Sequence, residues 1–187
     1  MIEDKNFESI DYSREKLIEN EYDNCTFIDC TFSEHSISNI TFRECEFNEC
    51  NFSNVLLKNT VLNDIRFIKC KLLGLDFSVC NKLLLSLSFE RCNLSFASFY
   101  NLKLKETTFT NCNLEEVDFT DTDLTNAVFD NCDLVRSIFE NSTLEKSDFR
   151  TAKNYTIDPA INKMKKARFS ALGLIGLLRN YDLIIDQ

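Results

Sequence analysis

The sequence predicts an all-β solenoid, a four-sided parallel β-helix with a short helical cap at its C-terminal end. Three observations lead there. From Phe7 to Phe77 every fifth residue is Phe, Tyr, Leu or Ile, and after one seven-residue step the pattern resumes at Leu84 and runs to Phe149. A period of five fits neither an amphipathic helix (3.6) nor a half-buried strand (2), so it marks an internal repeat. A longer period lies on top of it: Cys92, Cys112 and Cys132 recur every twenty residues, as do Phe89, Phe109, Phe129 and Phe149. Four units per coil would therefore stack like on like, and roughly seven coils spaced at about 4.8 Å would make a rod roughly 30 to 35 Å long.

Each part of the unit has a physical role. The residue two before the apolar centre is small or apolar, as at Cys92, Ala97, Cys112, Val117, Ala127 and Cys132. Side chains two apart on an extended segment share a side, so this residue and the centre both face inward, leaving three positions for water. The position two after the centre is rich in Asn, at 24, 39, 54, 59, 101, 111, 126, 131 and 141. Asn tolerates the left-handed region and hydrogen-bonds its own turn, so each unit is expected to end in a corner. That explains a turn-dense chain with only three Gly and one Pro.

The repeat breaks at 80–86, where Cys80-Asn81-Lys82-Leu83-Leu84-Leu85-Ser86 inserts two residues and sets Lys82 where a centre was due. The break reads as a bulge that re-aims one coil, with a contact element as the other reading. Residues 1–153 are assigned to the coil and 154–187 to the cap. Asp158 with Pro159 is expected to start a turn or short helix through about Lys166, and Ala167-Arg168-Phe169-Ser170 reads as a stray unit returning over the last coil. Leu172, Leu174, Ile175, Leu177 and Leu178 are too apolar for a lone exposed segment, so they should cover the core, join a second copy, or both.

The nine Cys sit at inward positions and are expected to pack as small hydrophobes, not to bind metal or form disulfides. His35, the only His, is also on an inward position and is expected to be buried and neutral. Without a second His or a Gly-rich phosphate loop, and with carboxylates on outward positions, an enzyme, a cofactor or a small-molecule substrate is not expected. The opening segment lacks the regions of a signal peptide, and Ala171–Leu178 is too short to span a bilayer, so a soluble cytoplasmic protein without membrane contact is expected.

The net charge of −9 points away from nucleic acid as a direct partner and toward a basic protein surface. Residues 1–52 carry 13 acidic and 4 basic groups, 53–105 carry 3 and 8, and 106–152 carry 11 and 3. The expected partner surface is the last of these blocks, with Glu115, Glu116, Asp118, Asp121, Asp123, Asp130 and Asp133 as candidates.

The unit A/C-(D/N)-(L/F)-(S/T/E)-(N/D/K) resembles the pentapeptide-repeat family over about residues 7–152. That resemblance implies a right-handed quadrilateral β-helix. The stretches Lys69–Phe77 and Arg91–Phe99, the break between them, and Ile157-Asp158-Pro159 with the Leu/Gly-rich end are similar to the gyrase-interacting subgroup, the Qnr quinolone-resistance proteins and the microcin B17 immunity protein. This similarity implies a dimeric, DNA-mimicking rod that engages DNA gyrase or topoisomerase IV and protects it from quinolones or toxins. A generic scaffold for another cytoplasmic protein is the alternative.

Overall fold

The computed structural model describes residues 1–181, 183 and 184. Among them are eleven short strands: β1 (Ile2–Glu3), β2 (Asn6–Glu8), β3 (Glu21–Asp23), β4 (Thr26–Ile28), β5 (Thr41–Arg43), β6 (Glu46–Asn48), β7 (Val61–Asn63), β8 (Ile65–Ile68), β9 (Leu87–Glu90), β10 (Thr108–Thr110) and β11 (Val128–Asp130). They form two parallel sheets, β1-β3-β5-β7 on the first wall and β2-β4-β6-β8-β9-β10-β11 on the second. The third and fourth walls are ladders of single bridges, such as Asn93↔Asn113↔Asp133 and Ser98↔Asp118↔Ile138. The molecule is the four-sided parallel β-solenoid expected from the repeat.

Register follows the four-unit coil. Phe27 pairs with Phe47 and Phe109 with Phe129, steps of twenty residues, while Phe67 pairs with Phe89 across the break. Centres of the same wall therefore stack. On the second wall the rings from Phe7 to Phe169 lie 4.6–5.5 Å apart and within 17° of parallel. Phe77, Phe99, Phe119 and Phe139 do the same on the fourth wall and meet the second-wall rings edge-on, as at Phe89–Phe99 (5.9 Å, 72°). Offset stacks and edge contacts of this kind each contribute roughly 0.5–1.5 kcal/mol beyond the area they bury.

The second inward residue has a task that its size alone does not reveal. The thiols of Cys50, Cys70, Cys92, Cys112 and Cys132 donate to the carbonyl oxygens of Phe27, Phe47, Phe67, Phe89 and Phe109, at 3.2–3.6 Å. Thr60, Thr122, Ser142 and Ser147 do likewise to Ile37, Phe99, Phe119 and Leu124. Small donors are thus tolerated in the core because each satisfies the carbonyl of a stacked centre. All nine Cys are free and buried, and burial pushes the Cys45 and Cys80 thiols up to about 12. His35 is only half-buried, a difference from the enclosed imidazole expected at its position.

The corners match the sequence pattern. Twenty-seven non-glycine residues among those described have positive φ, between 48° and 63°, and all nine predicted Asn positions are among them. A side chain at the position before the centre locks many of these turns: the carboxylate or amide oxygen of Asn51, Asp76, Asn93, Asp118, Asp123 and Asp133 accepts from the backbone N–H two residues on. Such Asx turns hold the bend before the chain enters the next wall.

The break differs from expectation in one respect. Leu84 is not a centre: it occupies the left-handed corner (φ 63°) and is 65% exposed, while Leu83 is 73% exposed. Asn81 Oδ1 accepts from the Leu83 N–H, as in a regular unit, so Lys82 holds the centre's place in the chain. An ammonium cannot enter an apolar core. Lys82 swings out to donate to the Asn101 carbonyl at 3.0 Å, and Leu85 leans on the core instead. The first wall therefore carries a bulge directly below β7.

Beyond Lys153 the coil continues on two walls. Lys163 bridges Thr143, Arg168 bridges Asp148, and the Phe169 ring stacks on Phe149 at 5.2 Å, as the stray unit predicts. Of the turn or short helix expected from Asp158 and Pro159, the structure has the turn, and it ends before Lys166 because a repeat unit follows in which Asn162 takes the inward position and donates to the Phe139 carbonyl. The cap proper is a run of short helical turns from Leu172 to Tyr181 that contains α1 (Ile175–Leu178). It lies against Tyr155, and Gly176 makes the approach possible: a Cβ there would sit 2.4 Å from the Tyr155 carbonyl oxygen. Leu177 packs on the core, whereas Leu172, Leu174 and Ile175 are exposed.

Two outcomes follow. Gly176→Ala should lower stability by about 1–3 kcal/mol in urea unfolding, since Tyr155 cannot yield its backbone. The nine thiols should resist a soluble disulfide reagent in native buffer and react together only at the unfolding rate; rapid modification of any one would contradict the buried ladder.

Candidate functional site

The solenoid sorts outward residues by wall, and this changes which charges are neighbours. The seven predicted carboxylates are divided over all four walls: Glu115, Glu116 and Asp133 on the third, Asp118 and Asp121 on the fourth, Asp123 on the first, and Asp130 on the second. Most are engaged within the chain. Arg136 is clamped by Glu115 and by Glu116, the latter at 2.7 Å. Asp118, Asp123 and Asp133 hold Asx turns, Asp123 also pairs with Lys105 at 3.3 Å, and Asp130 accepts from the Thr151 hydroxyl at 2.8 Å. Asp121 occupies an exposed corner (φ 56°).

The first wall brings together charges that are far apart in sequence. β1, β3, β5 and β7 pair in register, with Glu3 beside Asp23 and Glu21 beside Thr41. Along these four rows and their corners lie Glu3, Asp4, Glu21, Asp23, Glu44 and Asp64, opposed by Arg43, which reaches Glu21 at 3.8 Å, and by the Met1 ammonium, which pairs with Glu19 at 3.2 Å. Below the bulge the same wall continues through Lys103↔Asp123↔Thr143↔Lys163 and changes sign. Lys82, Lys103, Lys105, Lys146, Lys163, Lys165 and Lys166 face three carboxylates, Glu106, Asp123 and Glu145. Linear charge counting missed this polarity, because rows on one wall come from segments twenty residues apart. Taking every position modulo the coil length would have found it.

The cap end offers an open cleft lined by Arg150, Lys153, Tyr155, Leu172, Ile175 and Arg179. Under it the Tyr155 hydroxyl is buried without a hydrogen-bond partner among the described residues. Among the described residues no three His, Cys, Asp or Glu side chains gather as a metal site, and no helix is long and apolar enough to cross a membrane.

The repeat, its corners and its stacked centres define the class, and two family models agree with them. Pentapeptide repeats (8 copies) match residues 45–81, and the pentapeptide repeat region matches residues 82–155. The chain belongs to the pentapeptide-repeat family. No curated protein matches it. Among solved structures it is similar to full-length QnrB1, a plasmid-mediated fluoroquinolone resistance protein, at 17% identity over 97% of this chain and 99% of that one, with a TM-score of 0.40. It is also similar to HetL, a pentapeptide repeat protein involved in heterocyst differentiation regulation in the cyanobacterium Nostoc sp. strain PCC 7120, at 14% identity over 92% of this chain and 88% of that one, with a TM-score of 0.43.

The division of roles among the carboxylates can be measured. Asp118→Ala, which removes a turn acceptor, should cost about 1 kcal/mol in urea unfolding, whereas Asp118→Asn, which keeps the acceptor, should stay within about 0.5 kcal/mol. Equal effects would mean that the charge of Asp118, not its turn, is what matters.

Proposed function

We propose that the protein is a non-catalytic interaction module that presents the acidic rows of its first wall to a basic protein surface. Its partner, on this reading, is a cytoplasmic type II topoisomerase, DNA gyrase or topoisomerase IV, engaged where that enzyme would hold duplex DNA. The observation that carries the reading is charge density. Six carboxylates fall on four rows, which span about 14 Å at strand spacing, or roughly one charge per 2.4 Å. Duplex DNA presents about one per 1.7 Å. A surface built for phosphates also accepts carboxylates held at similar spacing on a rigid support.

The acidic block 106–152 plays a smaller part in this proposal, because Arg136, Lys105 and the turns already engage most of it. Leu172, Leu174 and Ile175 are where a second copy would join end-on, lengthening the rod. A scaffold for a different basic protein is the second reading, and the lysine rows below the bulge favour it, since a long imitation of DNA would remain acidic throughout.

The test is a supercoiling assay with gyrase, with and without a quinolone, over a titration of the protein. Inhibition or drug protection should appear at micromolar protein, weaken as salt rises, and be lost in Glu3→Lys/Asp23→Lys/Glu44→Lys but kept in Asp121→Asn. No effect of the unaltered protein at tens of micromolar would reject the topoisomerase and leave the scaffold.

A further inference from the structure

The first wall is divided into two halves of opposite charge, four rows above the bulge and four below it, and the bulge itself exposes Leu83 and Leu84. We propose that this wall docks on the same wall of a second copy, antiparallel, about a two-fold axis that runs along the strand direction through the bulge. The geometry selects that occupant. Such an axis places the first row of one copy against the last row of the other, so Glu3 and Asp4 meet the row of Lys163, Lys165 and Lys166. It places the row of Arg43, the one cationic side chain of the acidic half, against the row of Asp123. It also brings Leu83 and Leu84 of both copies together at the centre, where an isologous contact is self-complementary. Parallel docking would oppose acid to acid and lysine to lysine, at a cost that sets the direction.

Docking along the wall is distinct from the end-on joining of caps and requires no particular topoisomerase or other partner. Its consequence is regulatory: the acidic rows are neutralised in the pair and free in the single rod. A wall about 40 Å long and about 10 Å wide buries about 800 Å² in all, the size of a weak, salt-sensitive contact. The pairing is therefore expected at tens of micromolar and low ionic strength.

Sedimentation equilibrium tests it, in a Leu172→Asp/Ile175→Asp background that silences end-on joining. At 50 mM salt the mass should approach that of a dimer, and the dissociation constant should rise at least about tenfold at 500 mM. Leu83→Asp/Leu84→Asn should weaken pairing, as should Lys163→Glu/Lys165→Glu/Lys166→Glu (the acidic variant) and Glu3→Lys/Asp4→Lys/Glu21→Lys (the basic variant). An equimolar mixture of the acidic and basic variants should pair again, which misfolded chains could not do. A monomer at 50 mM salt, a dimer indifferent to Leu83 and Leu84, or a mixture that stays monomeric would each overturn the proposal.

Discussion

The rod depends on one constraint, a left-handed corner every fifth residue. A non-glycine residue in that region costs about 1–2 kcal/mol, and Asn and Asp lower the cost through local hydrogen bonds. The chain meets this demand with Asn at 24, 39, 101, 111 and 131 and with Asp or Glu at many of the rest. What offsets the cost lies outside the unit. Each coil takes its backbone hydrogen bonds from its neighbours and adds its apolar centres to the four walls' stacks, so no coil is stable alone. Even bulky residues are held in the strained region by this stacking, as Phe96 and Leu84 show with φ of 63°.

Most of the core was legible because the period is unambiguous. Phe32, Phe89 and Phe129 could only be inward, and the twenty-residue repeat of Cys92, Cys112 and Cys132 fixed the number of units per coil. At the break the apolar count misled: of three consecutive leucines, position alone selected Leu84, but the Asn81 turn fixes the corner there and leaves Leu85 to the core. The cap was legible in kind but not in extent, since nothing in Asn162-Lys163-Met164 announces a repeat unit until Asn162 is seen to donate to the carbonyl of Phe139.

The candidate site was much less legible than the fold. A carboxylate one position before a centre reads as surface charge, yet Asp118, Asp123 and Asp133 spend their oxygens on turns. Conversely, Glu3, Asp23, Glu44 and Asp64 lie in four separate stretches and become one patch only when the coil closes. The same folding separates them from the lysine rows by the bulge, so a modest two-residue insertion marks the boundary between two electrostatic halves. Surface identity in this molecule belongs to walls, not to segments of sequence.

Carboxyl footprinting tests that account most directly. The protein would be labelled with a carbodiimide and an amine at a salt concentration where it is monomeric, alone and with purified gyrase, and modification read at each acidic residue by mass spectrometry. The account predicts that Glu3, Asp4, Glu21, Asp23, Glu44 and Asp64 lose reactivity together while Asp118, Asp123 and Asp133 do not change. Protection centred on residues 106–152, with the first wall unaffected, would contradict it.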